Sequence, residues 1–200
     1  METEAEAVLF GSLVDFWRGR ALKYGERYIG HINEDHRLQR ARIEALLRQR
    51  LNPTVVYEDI LDLGCGWGRF ETFWAEFAGH IWAVDLLPDM LERARLQVPN
   101  VTTLKVSWPF RLPLADMSLN LLWACFTFQD IRDAGLFARI AAELVRVLAP
   151  QARVLILDNG KVREPKVFAD ALGLRTGWQS GRVNVNSKPQ DTWLIDGVRG

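Results

Sequence analysis

The sequence predicts an α/β fold built on an open, mostly parallel, doubly wound sheet with helices on both faces. Three observations predict it. From residue 55 onward, short apolar stretches alternate with stretches of helical periodicity. A glycine-rich turn at residues 64–68 follows the first apolar stretch, and an acidic residue, Asp85, ends the second. An alternation of this kind places parallel strands side by side, with crossover helices between them.

The composition is that of a single globular domain. The chain has 200 residues, of which 48% are hydrophobic and 25% are charged, which is enough for a sizeable core. Its 25 Lys and Arg balance its 25 Asp and Glu, so the overall charge gives no argument for nucleic-acid binding. No apolar run approaches the roughly 18 residues of a membrane span. Two cysteines do not make a disulfide framework, which favours a reduced, cytoplasmic setting.

Residues 1–53 are predicted to form a helical cap or lid segment, and residues 54–200 the core of the same domain. Apolar residues recur at three- and four-residue spacing from Phe10 to Trp17, and a second helix is predicted over about 34–51. Residues 18–50 contain nine Lys and Arg against four Asp and Glu. Two interpretations of this basic region stay open: a solvated helix face, or a rim that meets an anionic substrate such as RNA or a phosphorylated metabolite.

The helices and strands of the core are predicted from apolar runs and from the Gly and Pro residues between them. Strands are predicted over 55–63, 80–85, 101–106, 119–125 and 153–157. Helices are predicted over 71–78, with Gly79 as the cap, over 89–97, with Pro88 in the first turn, and over 134–148. In the tail, a short helix over 164–172 ends at Gly173, and the strand-like stretches 182–185 and 192–195 are expected to pair antiparallel.

The turn after the first strand reads Asp62-x-Gly64-x-Gly66-x-Gly68 and indicates a ligand cradle, because glycine lets a backbone approach a ligand closely. Arg69 stands at the place where a dinucleotide fold has its third glycine, so that fingerprint fails, and the Lys of a phosphate-binding loop is missing. The turn instead resembles the first motif of the class I S-adenosylmethionine (SAM)-dependent methyltransferases. SAM has no phosphate, so that family needs no phosphate-binding Lys.

Later stretches resemble the same family in the same order. Residues 85–94 resemble its acid followed by a "S-P-x-M-L" helix start, residues 112–122 its "L-P-F-x-D-x-S-F-D-L-V", residues 124–133 its "V-L-Q-H-I-P-D", and residues 143–150 its "E-x-x-R-V-L-K-P". The chain departs from the pattern at three places. The acid that binds adenine is replaced by Ser107 or Trp108, an Asp by Asn120, and two glycines by residues 151–152.

The resemblance implies a Rossmann-like, seven-stranded sheet with a C-terminal antiparallel hairpin, and SAM as the cofactor. Asp62 is expected near the amino group of the methionyl end. Asp85 is expected to accept hydrogen bonds from both ribose hydroxyls, since a carboxylate has two acceptor oxygens. The other cofactor-binding residues implied are those of the turn, the adenine side and the end of the fourth strand: Gly64, Cys65, Gly66, Gly68, Leu86, Met90, Ser107, Trp108, Ala124 and Phe126.

The reaction itself needs alignment more than it needs activation, because the sulfonium of SAM is already a good leaving group. Asp130 is the first candidate for a general base, with a helix N-cap or a loop carboxylate as the alternative interpretation. Tyr24 is expected to cover the site, as aromatic lids do in relatives. The histidines do not stand at metal-ligand spacing with the cysteines, so no metal is expected. We expect a small-molecule acceptor; the alternatives are an RNA or protein acceptor, or a SAM-binding protein without catalysis.

Overall fold

The computed structural model describes residues 3–28, 34–159, 163–175, 177–185 and 192–200. Helices and strands alternate along the chain after two N-terminal helices. The elements are α1 (Glu4–Tyr28), α2 (Glu34–Arg48), β1 (Tyr57–Leu63), α3 (Glu71–Trp74), β2 (Ala78–Asp85), α4 (Pro88–Ala94), β3 (Val101–Lys105), β4 (Leu119–Cys125), a 3-10 turn (Phe128–Asp130), α5 (Ala134–Val147), β5 (Leu148–Asn159), α6 (Pro165–Ala171), β6 (Gln179–Arg182) and β7 (Thr192–Val198).

The strands form one seven-stranded sheet in the order β3-β2-β1-β4-β5-β7-β6. Strands β1 to β5 pair in parallel, whereas β7 pairs antiparallel with both β5 and β6. The predicted fold class, a mostly parallel sheet with an antiparallel C-terminal pair, is confirmed. The strand order reverses between β1 and β4, and a sheet of this type binds its ligand in the crevice outside the carboxyl ends of the strands at such a point.

Alternate residues of the central strands face two separate apolar cores, as the two-residue period of a strand requires. Leu61, Leu122 and Val154 point into a core that also contains Phe10 of α1 and residues of α5 and α6. Ile60 and the other alternate positions point into the second core, which contains residues of α2 and α3. The sheet is therefore covered on both faces, and the two N-terminal helices lie on opposite sides of it.

Both N-terminal helices are packed against the rest of the domain. Ile43 and Leu47 of α2 are completely buried, and Glu6 of α1 pairs with Arg139 of α5 at 3.0 Å. The division of the chain at residue 53 into a cap and a core stays a prediction. Within the described residues, no helix combines the length and the apolar character needed to cross a membrane.

Gly79 was expected to cap the helix before it, and this prediction is wrong. The helix ends at Trp74, and Gly79 lies inside β2, where its neighbour Ala78 already pairs with Tyr57 of β1. A Cβ on Gly79 would lie 3.0 Å from the carbonyl oxygen of Glu58. The absence of a side chain thus serves the close approach of two strands.

The first strand of the tail was predicted over 182–185, which is too far along the chain. Strand β6 covers Gln179–Arg182 and pairs with β7, whereas the stretch 183–185 lies beyond its end. The amide of Val183 still donates to the carbonyl oxygen of Thr192 at 2.9 Å. Strand β5 is longer than predicted, because its pairing with β4 begins at Leu148, before an irregularity in register.

Candidate active site

A cavity of about 260 Å³ lies at the carboxyl ends of β1, β2 and β4, where the strand order reverses. The residues that line it come from the glycine turn, the loops after β2, β3 and β4, and the helices, mainly α1: Phe10, Leu13, Trp17, Ala21, His36, Asp62, Leu63, Gly64, Cys65, Gly66, Trp67, Arg69, Phe70, Val84, Asp85, Leu86, Leu87, Met90, Val106, Phe110, Cys125, Phe126, Thr127, Gln129, Ile131 and Ile140.

The three glycines of the turn have positive φ angles of 72°, 57° and 89° but different surroundings. A Cβ on Gly64 would lie 2.5 Å from the hydroxyl of Thr127, and one on Gly68 would lie 2.9 Å from the Cα of Ala94. A Cβ on Gly66 would meet no atom within 4 Å. Gly66 therefore offers its backbone to the cavity, whereas Gly68 is not among the lining residues and packs the turn against α4.

Asp62 is the most notable charge at the glycine turn because it is 2% exposed and its Oδ2 atom has no hydrogen-bond partner among the described residues. Burial, with the nearby carboxylates of Glu71 and Asp85, raises its pKa well above the ordinary value. Glu71 is completely buried, neither of its oxygens has a partner among those residues, and burial raises its pKa to about 8. An ionised carboxylate in such a place needs a cation.

Asp85 has a different environment at the end of β2. Its Oδ2 accepts a hydrogen bond from the amide of Gly66 at 2.9 Å, and its Oδ1 accepts one from the amide of Leu87 at 3.0 Å. Burial raises the pKa of this carboxyl. Each carboxylate oxygen has a second lone pair, so both oxygens can also accept a ligand hydroxyl. Asp85, the residue expected to bind the ribose, thereby links the glycine turn to the end of β2.

On the adenine side, Leu86 and Met90 line the cavity as expected, but Ser107 and Trp108 do not. The Trp108 ring instead packs against Phe10 of α1, with centroids 5.8 Å apart, and the guanidinium of Arg139 lies 5.7 Å from its centroid. The structure thus gives Trp108 a role in joining α1 to the core. The lining residues from this loop are Val106 and Phe110, which sequence reasoning missed.

At the end of β4 the cavity is lined by the residues just after the strand. Phe126 lines it as expected, with a φ of 56°, and so does Thr127. Ala124 is completely buried and lies outside the lining. The hydroxyl of Thr127 donates to the carbonyl oxygen of Leu63 at 2.7 Å, which ties the β4 end to the β1 end. Cys65, from the glycine turn, also lines the cavity.

Asp130 lies in the 3-10 turn between two lining residues, Gln129 and Ile131, and is not itself in the lining. Burial raises its pKa, although Arg20 and Arg132 oppose this effect. It is not the N-cap of α5, because Asp133 fills that place and accepts a hydrogen bond from the amide of Leu136 at 2.7 Å. The side chain of Tyr24 lies outside the described residues.

The N-terminal segment was predicted to be a cap or lid, but sequence reasoning did not identify the residues of α1 that line the cavity. Phe10, Leu13, Trp17 and Ala21 recur at three- and four-residue spacing and line the cavity together. Their spacing was the signal for the helix itself and did not distinguish a cavity wall from core packing. Arg69 was also missed, although it follows the turn directly.

The methyltransferase domain family model matches residues 60–151. A malonyl-[acyl-carrier protein] O-methyltransferase of Enterobacter lignolyticus is 27% identical over 163 residues, which are 80% of this chain and 57% of the relative. A ubiquinone/menaquinone biosynthesis C-methyltransferase of Cupriavidus metallidurans is 27% identical over 152 residues, which are 71% of this chain and 60% of the relative. The chain therefore spans no more than about three fifths of the length of these relatives.

Solved structures show the same fold. A SAM-dependent methyltransferase from Leishmania major has a TM-score of 0.74 and 14% identity, with coverage of 96% of this chain and 83% of that one. The N-methyltransferase NodS from Bradyrhizobium japonicum, in complex with S-adenosyl-L-homocysteine, has a TM-score of 0.69 and 15% identity, with coverage of 90% and 98%. These similarities establish the fold.

Proposed function

We propose that this chain, whose residues 60–151 match the methyltransferase domain family model, is a class I methyltransferase that transfers a methyl group from SAM to a small acceptor with an apolar body. One observation carries the proposal: the buried carboxylate of Asp62, with a partnerless Oδ2 among the described residues, borders a cavity that Gly66 leaves open to close approach by a ligand. SAM carries an ammonium and a sulfonium, and an acidic, water-excluded surface favours a ligand of that charge.

Different residues of the cavity bind different parts of the cofactor. Asp62 stabilises the ammonium end, the open backbone of Gly66 lies along the methionyl chain, and Asp85 accepts from the ribose hydroxyls. Leu86 and Met90 provide the apolar surface for the adenine ring. SAM, when bound, supplies a methyl group on a sulfonium that leaves readily. The task of the protein is then to hold the donor and the acceptor in line and to exclude water.

The acceptor side supports a small, largely apolar molecule. Phe10, Leu13 and Trp17 of α1 face the cavity together with Phe126 and Ile131 from the β4 side. An apolar wall of this kind suits a compact acceptor. Relatives are named for a malonyl-[acyl-carrier protein] and for ubiquinone/menaquinone biosynthesis, so an acceptor carried on a protein is an outcome that the substrate screen must include.

The basic N-terminal region gives less support to an RNA acceptor. Arg40 pairs with Glu44 at 2.5 Å, and Arg48 pairs with Glu76 at 2.7 Å. Arginines that are already paired with carboxylates favour the interpretation of a solvated helix face. Asp130 stays the proposed general base, supported by a raised pKa, which brings a carboxyl closer to the range where it accepts protons. The role of Tyr24 and the cytoplasmic location stay predictions from the sequence.

Equilibrium binding of SAM by calorimetry tests the cofactor assignment. We expect Asp62→Asn and Asp85→Ala each to weaken binding about tenfold to a hundredfold, since each removes a charged hydrogen-bond partner. Asp89→Asn is the matched control, because Asp89 is an exposed acid at the start of α4 that does not line the cavity. Lack of SAM binding by the wild-type protein would overturn the proposal.

Transfer of a labelled methyl group tests the reaction. The acceptors to compare are malonyl thioesters, reduced quinones, a malonyl-loaded acyl-carrier protein, transfer RNA and peptides. SAM binding without transfer to any of these classes would favour a SAM-binding protein without catalysis. Transfer to RNA or peptide alone would contradict the small, apolar acceptor.

A further inference from the structure

Arg69 is a cation in the wall of the cavity whose hydrogen-bond partners are both neutral. Its Nη2 donates to the carbonyl oxygen of His36 at 3.2 Å and to Oε1 of Gln39 at 2.6 Å. The guanidinium lies 5.1 Å from the centroid of the Phe70 ring. No ion pair joins Arg69 to a carboxylate among the residues that the structure describes. The neighbouring Arg40, in contrast, pairs with Glu44 at 2.5 Å.

The geometry leaves an edge of this guanidinium available. Its two hydrogen bonds use a single nitrogen, Nη2, and α2 supplies both acceptors. A guanidinium has five N–H donors in a planar fork and stays protonated in proteins. Burial lowers the pKa of Arg69, which reflects the cost of a cation that is withdrawn from water. That cost is recovered when an anion binds to the remaining donors.

Charge is distributed unevenly around the cavity. The carboxylates of Asp62 and Asp85 belong to the ends of β1 and β2, and Asp85 is held by the amides of Gly66 and Leu87. Arg69 is held by α2. The lining thus combines acidic groups with a half-buried guanidinium. A ligand that carries both an ammonium and a carboxylate, or a cofactor together with an acidic acceptor, matches this combination.

We propose that Arg69 binds a carboxylate of a molecule held in the cavity, with Gln39 fixing the orientation of the guanidinium. The carboxylate belongs either to the methionyl end of the cofactor or to an acidic acceptor, and the fork of Arg69 suits either, because a guanidinium matches a carboxylate through two parallel hydrogen bonds. This inference rests on the proposed function.

The first arm of the test compares two ligands on one protein. S-adenosyl-L-homocysteine and its decarboxylated analogue differ only in the carboxylate. If the methionyl carboxylate is the ligand, the wild-type protein binds the decarboxylated analogue about tenfold to a hundredfold more weakly. Arg69→Gln then removes this preference by weakening only the carboxylate-bearing ligand. Arg69→Lys, which keeps the charge and loses the fork, retains part of the preference.

The second arm uses wild-type protein saturated with S-adenosyl-L-homocysteine. Its ligands are the malonyl and the propionyl thioesters of N-acetylcysteamine, of which only the first has a free carboxylate. A preference for the malonyl thioester of about tenfold or more, absent in Arg69→Gln, assigns the carboxylate to the acceptor. Arg48→Gln is the control in both arms, since Arg48 pairs with Glu76 at the surface and does not line the cavity.

The outcomes separate the two proposals. Wild-type protein that does not bind S-adenosyl-L-homocysteine contradicts the proposed function. Wild-type protein that binds it, but shows no carboxylate preference in either arm, overturns the role of Arg69. A preference that Arg69→Gln and Arg69→Lys leave unchanged also overturns that role. The wild-type comparisons keep the test valid if a variant does not fold.

Discussion

Replacing Glu71 with Gln should change how the stability of the ligand-free protein depends on pH. Glu71 is completely buried, and neither of its oxygens has a hydrogen-bond partner among the described residues. Burial raises its pKa from 4.5 to about 8. Below pH 4.5 the folded and unfolded chains both hold the proton, and above about pH 8 neither does. Between these values only the folded chain holds it, so stability falls as pH rises.

The magnitude follows from the width of this pH window. One pH unit within it corresponds to about 1.4 kcal/mol. Raising the pH from 5 to 7 should therefore destabilise the wild-type protein by about 2–3 kcal/mol relative to Glu71→Gln, whose side chain does not titrate. Asp62 lies close by, and the Glu71 carboxylate contributes to the raised pKa of its carboxyl. Glu71→Gln therefore also reduces the contribution of Asp62 to the slope, which changes the difference in the same direction.

Urea denaturation, followed by the fluorescence of the eight tryptophans, measures this difference at pH 5, 6 and 7. Glu76→Gln is the control. The pair with Arg48 at 2.7 Å lowers the pKa of Glu76, so this carboxyl is ionised in both states above about pH 5 and its replacement gives a flat difference. A wild-type curve that runs parallel to that of Glu71→Gln would refute the reasoning and would mean that Glu71 is charged in the folded protein.

Three further changes are expected to act on stability, each measured by urea denaturation. Gly64→Ala should destabilise the protein by about 1–3 kcal/mol, because its Cβ would lie 2.5 Å from the Thr127 hydroxyl at a positive φ; a neutral result would contradict the tight packing of Gly64 against Thr127. Gln151→Gly should stabilise it by up to about 1 kcal/mol, because Gln151 has a φ of 72°, and a loss would show that the side chain matters. Arg146→Met should destabilise it by about 3 kcal/mol, because it leaves Glu143, bonded to it at 2.6 Å and 6% exposed, without its main cation; a change below about 1 kcal/mol would refute this role.

The elements that were predictable from the sequence are those whose signal is local. Strand β4 was placed at its observed bounds because 119–125 is an almost unbroken apolar run, as a strand buried on both faces should be. Helix α4 begins at Pro88, which suits the first helical position. Asp85 was selected as a candidate ribose-binding residue because it ends the second strand of a predicted doubly wound sheet. In the structure its carboxylate accepts a hydrogen bond from the amide of Gly66 in the glycine turn.

The elements that failed depend on contacts between distant parts of the chain. Gly79 has the local appearance of a helix cap, but its place is decided by the pairing of Ala78 with Tyr57. For Gly79 the local pattern was compatible with two structures, and the long-range partner selected one of them. Trp108 stands where relatives bind adenine, and its ring packs against Phe10, nearly a hundred residues earlier in the chain; its part in adenine binding stays a prediction.

The motif residues also divide by what they contact. Arg146, in a motif used to recognise the family, holds the loop before β4 to α5, since its Nη1 donates to the carbonyl oxygen of Leu114 and its Nη2 to that of Leu112. Glu143 completes this network by accepting from the amide of Leu112 at 2.7 Å. This motif is therefore explained by the stability of the fold, and its presence gives no information about the acceptor.

The charged residues that stabilise the fold have charged partners within the protein, whereas those proposed to bind a ligand do not. Glu143 is buried and Arg146 is half-buried, and the two charges pair at 2.6 Å, so both are accounted for by the fold. The buried carboxyl of Asp62 and the half-buried guanidinium of Arg69 border the same cavity, and neither has a charged partner in an ion pair among the described residues. Burial without pairing costs stability. A bound zwitterion, or a cofactor together with an acidic acceptor, would offset that cost at these two positions.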